Sequence, residues 1–99
     1  MNLLIPWHST KGSSRLDAQL ARELPSGHAL EGISVRAVAE RQDCDDVLFQ
    51  LNDGSGRVAV VHLTYSVNVD ARWPETEFFP SLEAWETLRM QPDHQDFCD

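Results

Sequence analysis

Apolar residues fall along this chain in stretches with different spacing. Leu16, Leu20 and Leu24 recur at every fourth position, which marks one face of a helix. Ser14 precedes them as an N-cap, and Asp17 suits the positive end of the helix dipole. Pro25-Ser26-Gly27 closes the segment. The pattern predicts a helix over residues 14–24, too short to be stable unless its leucines pack on something. Ahead of it, residues 1–13 hold no period for long, and Lys11-Gly12-Ser13 reads as a loop.

The spacing then changes to two. Ile33, Val35, Ala37 and Ala39 alternate with Ser34, Arg36, Val38 and Glu40, predicting a half-buried strand over residues 33–42. A helix is the competing reading of the Ala-Val-Ala-Glu-Arg-Gln run. Gly32 permits a bend or bulge if the strand starts near residue 29. Asp43-Cys44-Asp45-Asp46 is a polar break before a short apolar run at 47–51. Asn52-Asp53-Gly54-Ser55-Gly56 is the clearest turn, because Asp-Gly reaches positive φ cheaply, and it predicts a β-hairpin. The return strand, 57–65, contains Val58-Ala59-Val60-Val61, apolar on both sides as in a strand covered on both faces.

Residues 66–80 read as an irregular loop, with Asn68, Asp70, Pro74 and Pro80 beside Trp73, Phe78 and Phe79. Ser81 caps a second helix over 82–90, whose stripe is Leu82, Trp85 and Leu88 with Met90 near its end. Pro92 prevents its continuation. The tail from His94 is acidic and expected to be mobile, with Phe97 as a docking residue. No repeat or low-complexity tract interrupts this order. It predicts an α+β fold in one domain, 1–99: a short N-terminal helix, a strongly bent antiparallel sheet of three or four strands, and a C-terminal helix. One short helix cannot cover both faces. The sheet must curl into a partial barrel, use both helices, or bury a face in another subunit.

Composition agrees with one globular domain: 99 residues, 41% hydrophobic and 24% charged. No apolar run approaches the ~18 residues that span a bilayer. Net charge is −8, unevenly placed. Residues 1–42 carry five basic and four acidic side chains, whereas residues 43–99 carry three basic and twelve acidic ones. The second half repels phosphate backbones and anionic membranes and attracts a basic partner or a divalent cation. Cys44 and Cys98 make no disulfide framework, and no export leader is evident. A cytoplasmic protein with free thiols is expected.

Residues 43–64, with Trp73-Pro74, Thr76, Phe79, Ser81-Leu82-Glu83-Ala84-Trp85, Met90 and Asp93, resemble a family of small bacterial proteins of about this length. That resemblance implies no mechanism. The helix ahead of a strand containing Gly32, followed by Asp46, Leu48-Phe49, Asn52 and Gly54, is loosely similar to the first half of the Sm-like pattern. In that family a small bent five-stranded barrel forms rings and often binds RNA. The Sm-like second half is absent: Val60-Val61-His62-Leu63-Thr64 stands where Ile-Arg-Gly or Tyr-Lys-His is expected. The resemblance therefore implies an oligomer, with a dimer favoured over a ring because of the added C-terminal helix.

Two groups of residues carry candidate chemistry. In the first, Asp45 and Asp46, with Asp43 nearby, approach His62 in most hairpin registers. A three- or five-residue loop pairs Asp46 with His62 directly, and a two- or four-residue loop sets His62 opposite Asp45 or Val47. An Asp–His pair serves as a general base or as two metal ligands, or it is simply a solvated strand end. The second group is Trp73, Phe78 and Phe79, which either lid the sheet or form a contact patch. Cys44 lies between acids, which raise a thiol's pKa, so it is no nucleophile. His94, Asp96 and Cys98 alternate as metal ligands can, but in a tail. No motif specifies a catalytic residue, a metal or a cofactor. The preferred reading is a non-catalytic interaction module for a protein partner with a basic surface. An Sm-like RNA binder using Lys11, Arg15, Arg22 and Arg36 is disfavoured by charge. A small metal-dependent enzyme using Asp45, Asp46 and His62 is the third alternative.

Overall fold

Five antiparallel strands pair in chain order: β1 (Trp7–Ser9), β2 (Val35–Arg41), β3 (Asp46–Leu51), β4 (Val58–His62) and β5 (Glu75–Phe79). They are seen in a computed structural model that describes residues 2–10 and 14–98. The loop expected at Lys11-Gly12-Ser13 lies outside those residues. Helix α1 (Arg15–Glu23) connects β1 to β2. A C-terminal rod follows β5: α2 (Leu82–Trp85), a π-helical turn (Glu86–Met90) and α3 (Gln91–Cys98). The sheet is open, with β1 and β5 at its edges.

Both helical pieces cover the sheet, one on each face. Leu16 and Leu20 of α1, with Leu24 just past its end, pack with Val47, Phe49, Ala59 and Val61 on one side. Trp85, Met90 and Leu82 of the rod pack with Leu48, Val58, Val60, Phe79 and Trp7 on the other. Consecutive residues of β3 and β4 thus alternate between two cores, which accounts for a run apolar on both sides. Of the three ways to cover the sheet, the chain uses both helices.

Strict alternation places Ala37 and Ala39 on one face, but they lie in different cores. The pairing jumps from Ala37↔Phe49 to Ala39↔Leu48, so Val38 is the extra residue of a bulge. The bulge lies within β2 rather than at Gly32. Ala37 keeps its pairing with Phe49 but lies beyond the last β1 pair, Ser9↔Ala39, and side chains bond its backbone where β1 no longer does. The Asp17 carboxylate accepts the Ala37 N–H at 2.7 Å, and the buried Thr10 hydroxyl donates to the Ala37 carbonyl at 3.0 Å. Asp17 therefore ties α1 to the sheet. Ser14 stands at the start of α1, but its side chain makes no capping bond.

Four further expectations change. Phe78 and Phe79 are not loop residues: they belong to β5, where Phe79 is buried and Phe78 packs on the α1-side core. Prolines at 74 and 80 hide this strand in the sequence, yet both sit outside its paired residues. Pro92 does not end the rod. The preceding turn is π-helical, with the Gln91 N–H bonded to the Glu86 carbonyl, and the wider turn gives the proline ring room inside a continuing helix. The same shift in register turns Leu88 out to solvent while Trp85 and Met90 stay buried. The tail is helical through Cys98, with His94 Nδ1 2.7 Å from the Ile5 carbonyl oxygen. Trp7 and Trp85 meet edge to face, with ring centroids 5.1 Å apart, and lock the rod to β1.

Candidate functional site

The hairpin register decides where the charged residues meet. Leu51 N–H bonds the Arg57 carbonyl across a five-residue loop, 52–56, with Gly54 at φ +79°. Asp46 therefore pairs directly with His62, and His62 pairs with Glu75 on β5. One row across three strands carries an aspartate, a histidine and a glutamate on the face that the rod covers. One step along β5, Glu77 stands beside Val60.

The rod brings Arg89 to this row. Asp46 binds His62 Nδ1 through Oδ1 at 2.7 Å and the Arg89 guanidinium through Oδ2. The carboxylate can only accept, so Nδ1 of His62 donates to it. Nε2 of His62 has no protein partner among the described residues. Arg89 also donates from Nε to Asp93 at 2.8 Å, one helical turn away, and its outer nitrogen lies 3.4 Å from Glu77. Asp93 in turn accepts the indole N–H of Trp7 at 2.9 Å and lies 3.3 Å from Arg41. Arg41 forms a two-bond fork with Asp43. Burial works against the Arg89 charge, but Asp93 and Asp46 together hold its pKa above the ordinary value. The Arg41 fork holds the Asp43 carboxyl below the ordinary carboxylate range.

Arg89 is thus consumed by structure. Its partners Asp46 and Asp93 are only 13% and 15% exposed at their side chains. Beside this network lies an open cleft of about 510 Å³, floored by Val60 and lined by Asp46, His62, Glu75, Thr76, Glu77 and Arg89. Glu77 is 61% exposed. Glu75 is exposed and forms no ion pair among the described residues. The cleft therefore holds three carboxylates, Asp46, Glu75 and Glu77, against one guanidinium that is shared among Asp46, Glu77 and Asp93.

Of the predicted residues, the structure unites Asp46 and His62 and leaves Asp45 apart. Asp45 is exposed, and only its backbone carbonyl is engaged, by the Leu63 N–H at 3.0 Å. Trp73 is 45% exposed and precedes β5 by one proline. Phe79 is core, which removes it from any contact patch. No group of three or more metal-ligating side chains converges among the described residues, and both oxygens of Asp46 are already engaged. Desolvation, with the Asp46 and Asp43 carboxylates, holds the Cys44 thiol above its ordinary range. Cys44 and Cys98 are both free and exposed.

Four residues of this arrangement escaped the sequence reading: Arg89, Asp93, Glu75 and Glu77. Arg89 and Asp93 are an i,i+4 pair, a visible helix signal that the expected stop at Pro92 concealed. Glu75 and Glu77 alternate, as one face of a strand does. A second anchor also escaped it. Glu23, 1% exposed, accepts from the Thr64 N–H (2.7 Å), the Thr64 hydroxyl (2.8 Å), the Tyr65 N–H (2.9 Å) and the Gln19 amide (2.8 Å). It pins the start of the 64–74 loop, where Tyr65 is held at φ +55°, a costly conformation for a bulky side chain. His28 pins the other end. Its Nδ1 accepts the Leu30 N–H at 3.0 Å, so Nε2 carries the proton and donates to the Pro74 carbonyl at 2.8 Å.

No protein-family model matches this chain, and no curated protein or solved structure matches it either.

Proposed function

We propose that this protein is a small non-catalytic binding module whose acidic cleft receives a basic side chain of a protein partner. The observation that carries this reading is the pair Glu75 and Glu77: two exposed carboxylates on one face of β5, beside a cleft whose one cation is already bound. The cleft has the size of a small-molecule or side-chain site, and the excess of acid in residues 43–99 steers a basic partner toward it. None of its lining residues is paired as an activated nucleophile. A lysine-rich peptide tests the reading. Two exposed ion pairs contribute up to about 1 kcal/mol each, so Glu75→Gln with Glu77→Gln should weaken the peptide by about tenfold and flatten its salt dependence. Unchanged affinity sinks the proposal. Tight, salt-sensitive retention of U-rich or A-rich RNA in its place would favour an Sm-like nucleic-acid binder.

A second reading rests on the Asp46–His62 pair. A carboxylate that fixes the imidazole tautomer and leaves Nε2 free is the arrangement of a general base. His62→Asn separates the two readings: under the general-base reading it abolishes proton transfer, whereas under the binding reading salt-sensitive peptide binding survives because Glu75 and Glu77 carry it. The dimer expected from sequence is tested by light scattering after size exclusion. Both sheet faces are covered within the chain, so a dimer would form elsewhere, with the exposed Tyr65, Val67, Val69 and Trp73 as the apolar surface for it.

A further inference from the structure

The outer edge of β5 carries no strand partner among the described residues. β5 pairs with β4 on one side only. Among the described residues, neither a backbone nor a side-chain group bonds to the other side of Glu75–Phe79. In an antiparallel strand, alternate residues turn their N–H and C=O away from the paired neighbour, so this edge presents unsatisfied donors and acceptors to any extended chain. Glu75 and Glu77 stand along it on the cleft face, two residues apart.

We infer that β5 binds an extended basic segment of a partner protein by strand addition, with alternate lysine or arginine side chains reaching Glu75 and Glu77 at the mouth of the cleft. This rests on the cleft's reading as a receptor for basic groups and specifies how the partner is held. Three features select this occupant. An added strand lies about 4.8 Å from β5, and its same-face side chains repeat about every 7 Å, the spacing of Glu75 and Glu77 themselves. A second copy of the chain is the wrong partner. Antiparallel pairing of two β5 edges gathers four carboxylates on one face, and like charges in such rows destabilise the pairing. Nucleic acid is repelled by the same carboxylates. Backbone bonds supply affinity in this mode, and the acidic row supplies the choice of sequence.

The test uses the full chain and a nine-residue peptide in which lysine alternates with threonine. Affinity is measured at low and high salt, and amide hydrogen exchange is followed along β5. The expected result is salt-sensitive binding that slows exchange of alternate β5 amides by about tenfold or more, since they become hydrogen-bonded. A peptide N-methylated at alternate amides loses the edge bonds and should bind at least about tenfold more weakly. The same composition with its lysines adjacent rather than alternating should also bind more weakly. If the peptide binds but N-methylation changes nothing and β5 amides gain no protection, strand addition is overturned and the acidic cleft stands alone. If no peptide binds at low salt, the cleft reading fails and this inference falls with it. If Glu75→Gln with Glu77→Gln binds as the parent does and the β5 amides are still protected, the edge pairs without selecting charge, and the basic partner is the part refuted.

Discussion

Replacing Glu23 by glutamine keeps the shape of a buried side chain and removes its charge. In the parent, one carboxylate accepts four donors, two of them backbone amides at the start of the 64–74 loop. Burial alone would raise its pKa. The bonds from Gln19, Thr64 and Tyr65 outweigh that, and the folded value lies below the ordinary 4.5. A hydrogen bond to a charged group contributes about 1.5–3 kcal/mol, against about 0.5–1.5 for a neutral one. The new amide keeps one acceptor oxygen for Thr64 but turns an NH₂ toward both the Tyr65 N–H and the Gln19 amide, which share the other oxygen in the parent. Gln19 can rotate to accept, and Tyr65 lies at the surface where water replaces the bond. The expected cost is about 2 kcal/mol, which in a domain of this size lowers Tm by roughly 8–16 °C. The pH dependence adds a sign. A carboxyl whose folded pKa is depressed contributes stability that is present above its unfolded value and is lost as pH falls through the folded value. The gap between parent and Glu23→Gln should therefore be full at pH 7 and close toward pH 3. Urea unfolding followed by fluorescence of the buried Trp7 and Trp85 measures it at both pH values. A cost under about 0.5 kcal/mol at pH 7, or an equal cost at pH 3, would refute the account of Glu23 as an ionised anchor.

Two further substitutions probe how the rod is held. Arg89→Met strips the shared cation from Asp46 and Asp93, each of which keeps a second partner, so the loss should be about 2–4 kcal/mol rather than the full cost of an orphaned buried charge. A cycle with Asp93→Asn, measured by denaturant midpoint, should show coupling above about 1 kcal/mol; additive effects would mean that the network is not a unit. Ser81→Ala removes the side chain that accepts the Ala84 N–H at 3.1 Å and should cost about 1 kcal/mol, with Ser81→Asp restoring most of it in thermal unfolding. Equal melting of Ser81→Ala and parent would show that Trp85 docking alone sets the start of the rod.

Much of the architecture is legible in local patterns because those patterns record local physics. The Leu16, Leu20, Leu24 stripe, the Asp53-Gly54 turn and the all-apolar Val58-Ala59-Val60-Val61 run each name their element without reference to the rest of the chain. The candidate site is legible in part for the same reason. With an odd-length loop, strand pairing alone brings Asp46 to His62. Loop length, however, is not readable to one residue from a five-residue polar cluster, and a slip of one would have sent His62 to the opposite face. β1 and β5 are hidden because edge strands are short, charged or flanked by proline, and they gain their conformation from the neighbour that they pair with.

The sequence by itself determined an α+β chain with a helix near its start, a central hairpin, a capped helix after Ser81 and an acidic second half, because periodicity, turn chemistry and net charge are local or additive properties. Only the tertiary structure decided that Phe79 is core, that Arg89 is shared between Asp46 and Asp93, that Glu23 and His28 hold the two ends of one loop, and that Glu75 and Glu77 border an open edge. Each of those depends on which distant segments meet, and that is settled by burying both faces of one sheet at once, a global condition that no short stretch of sequence contains.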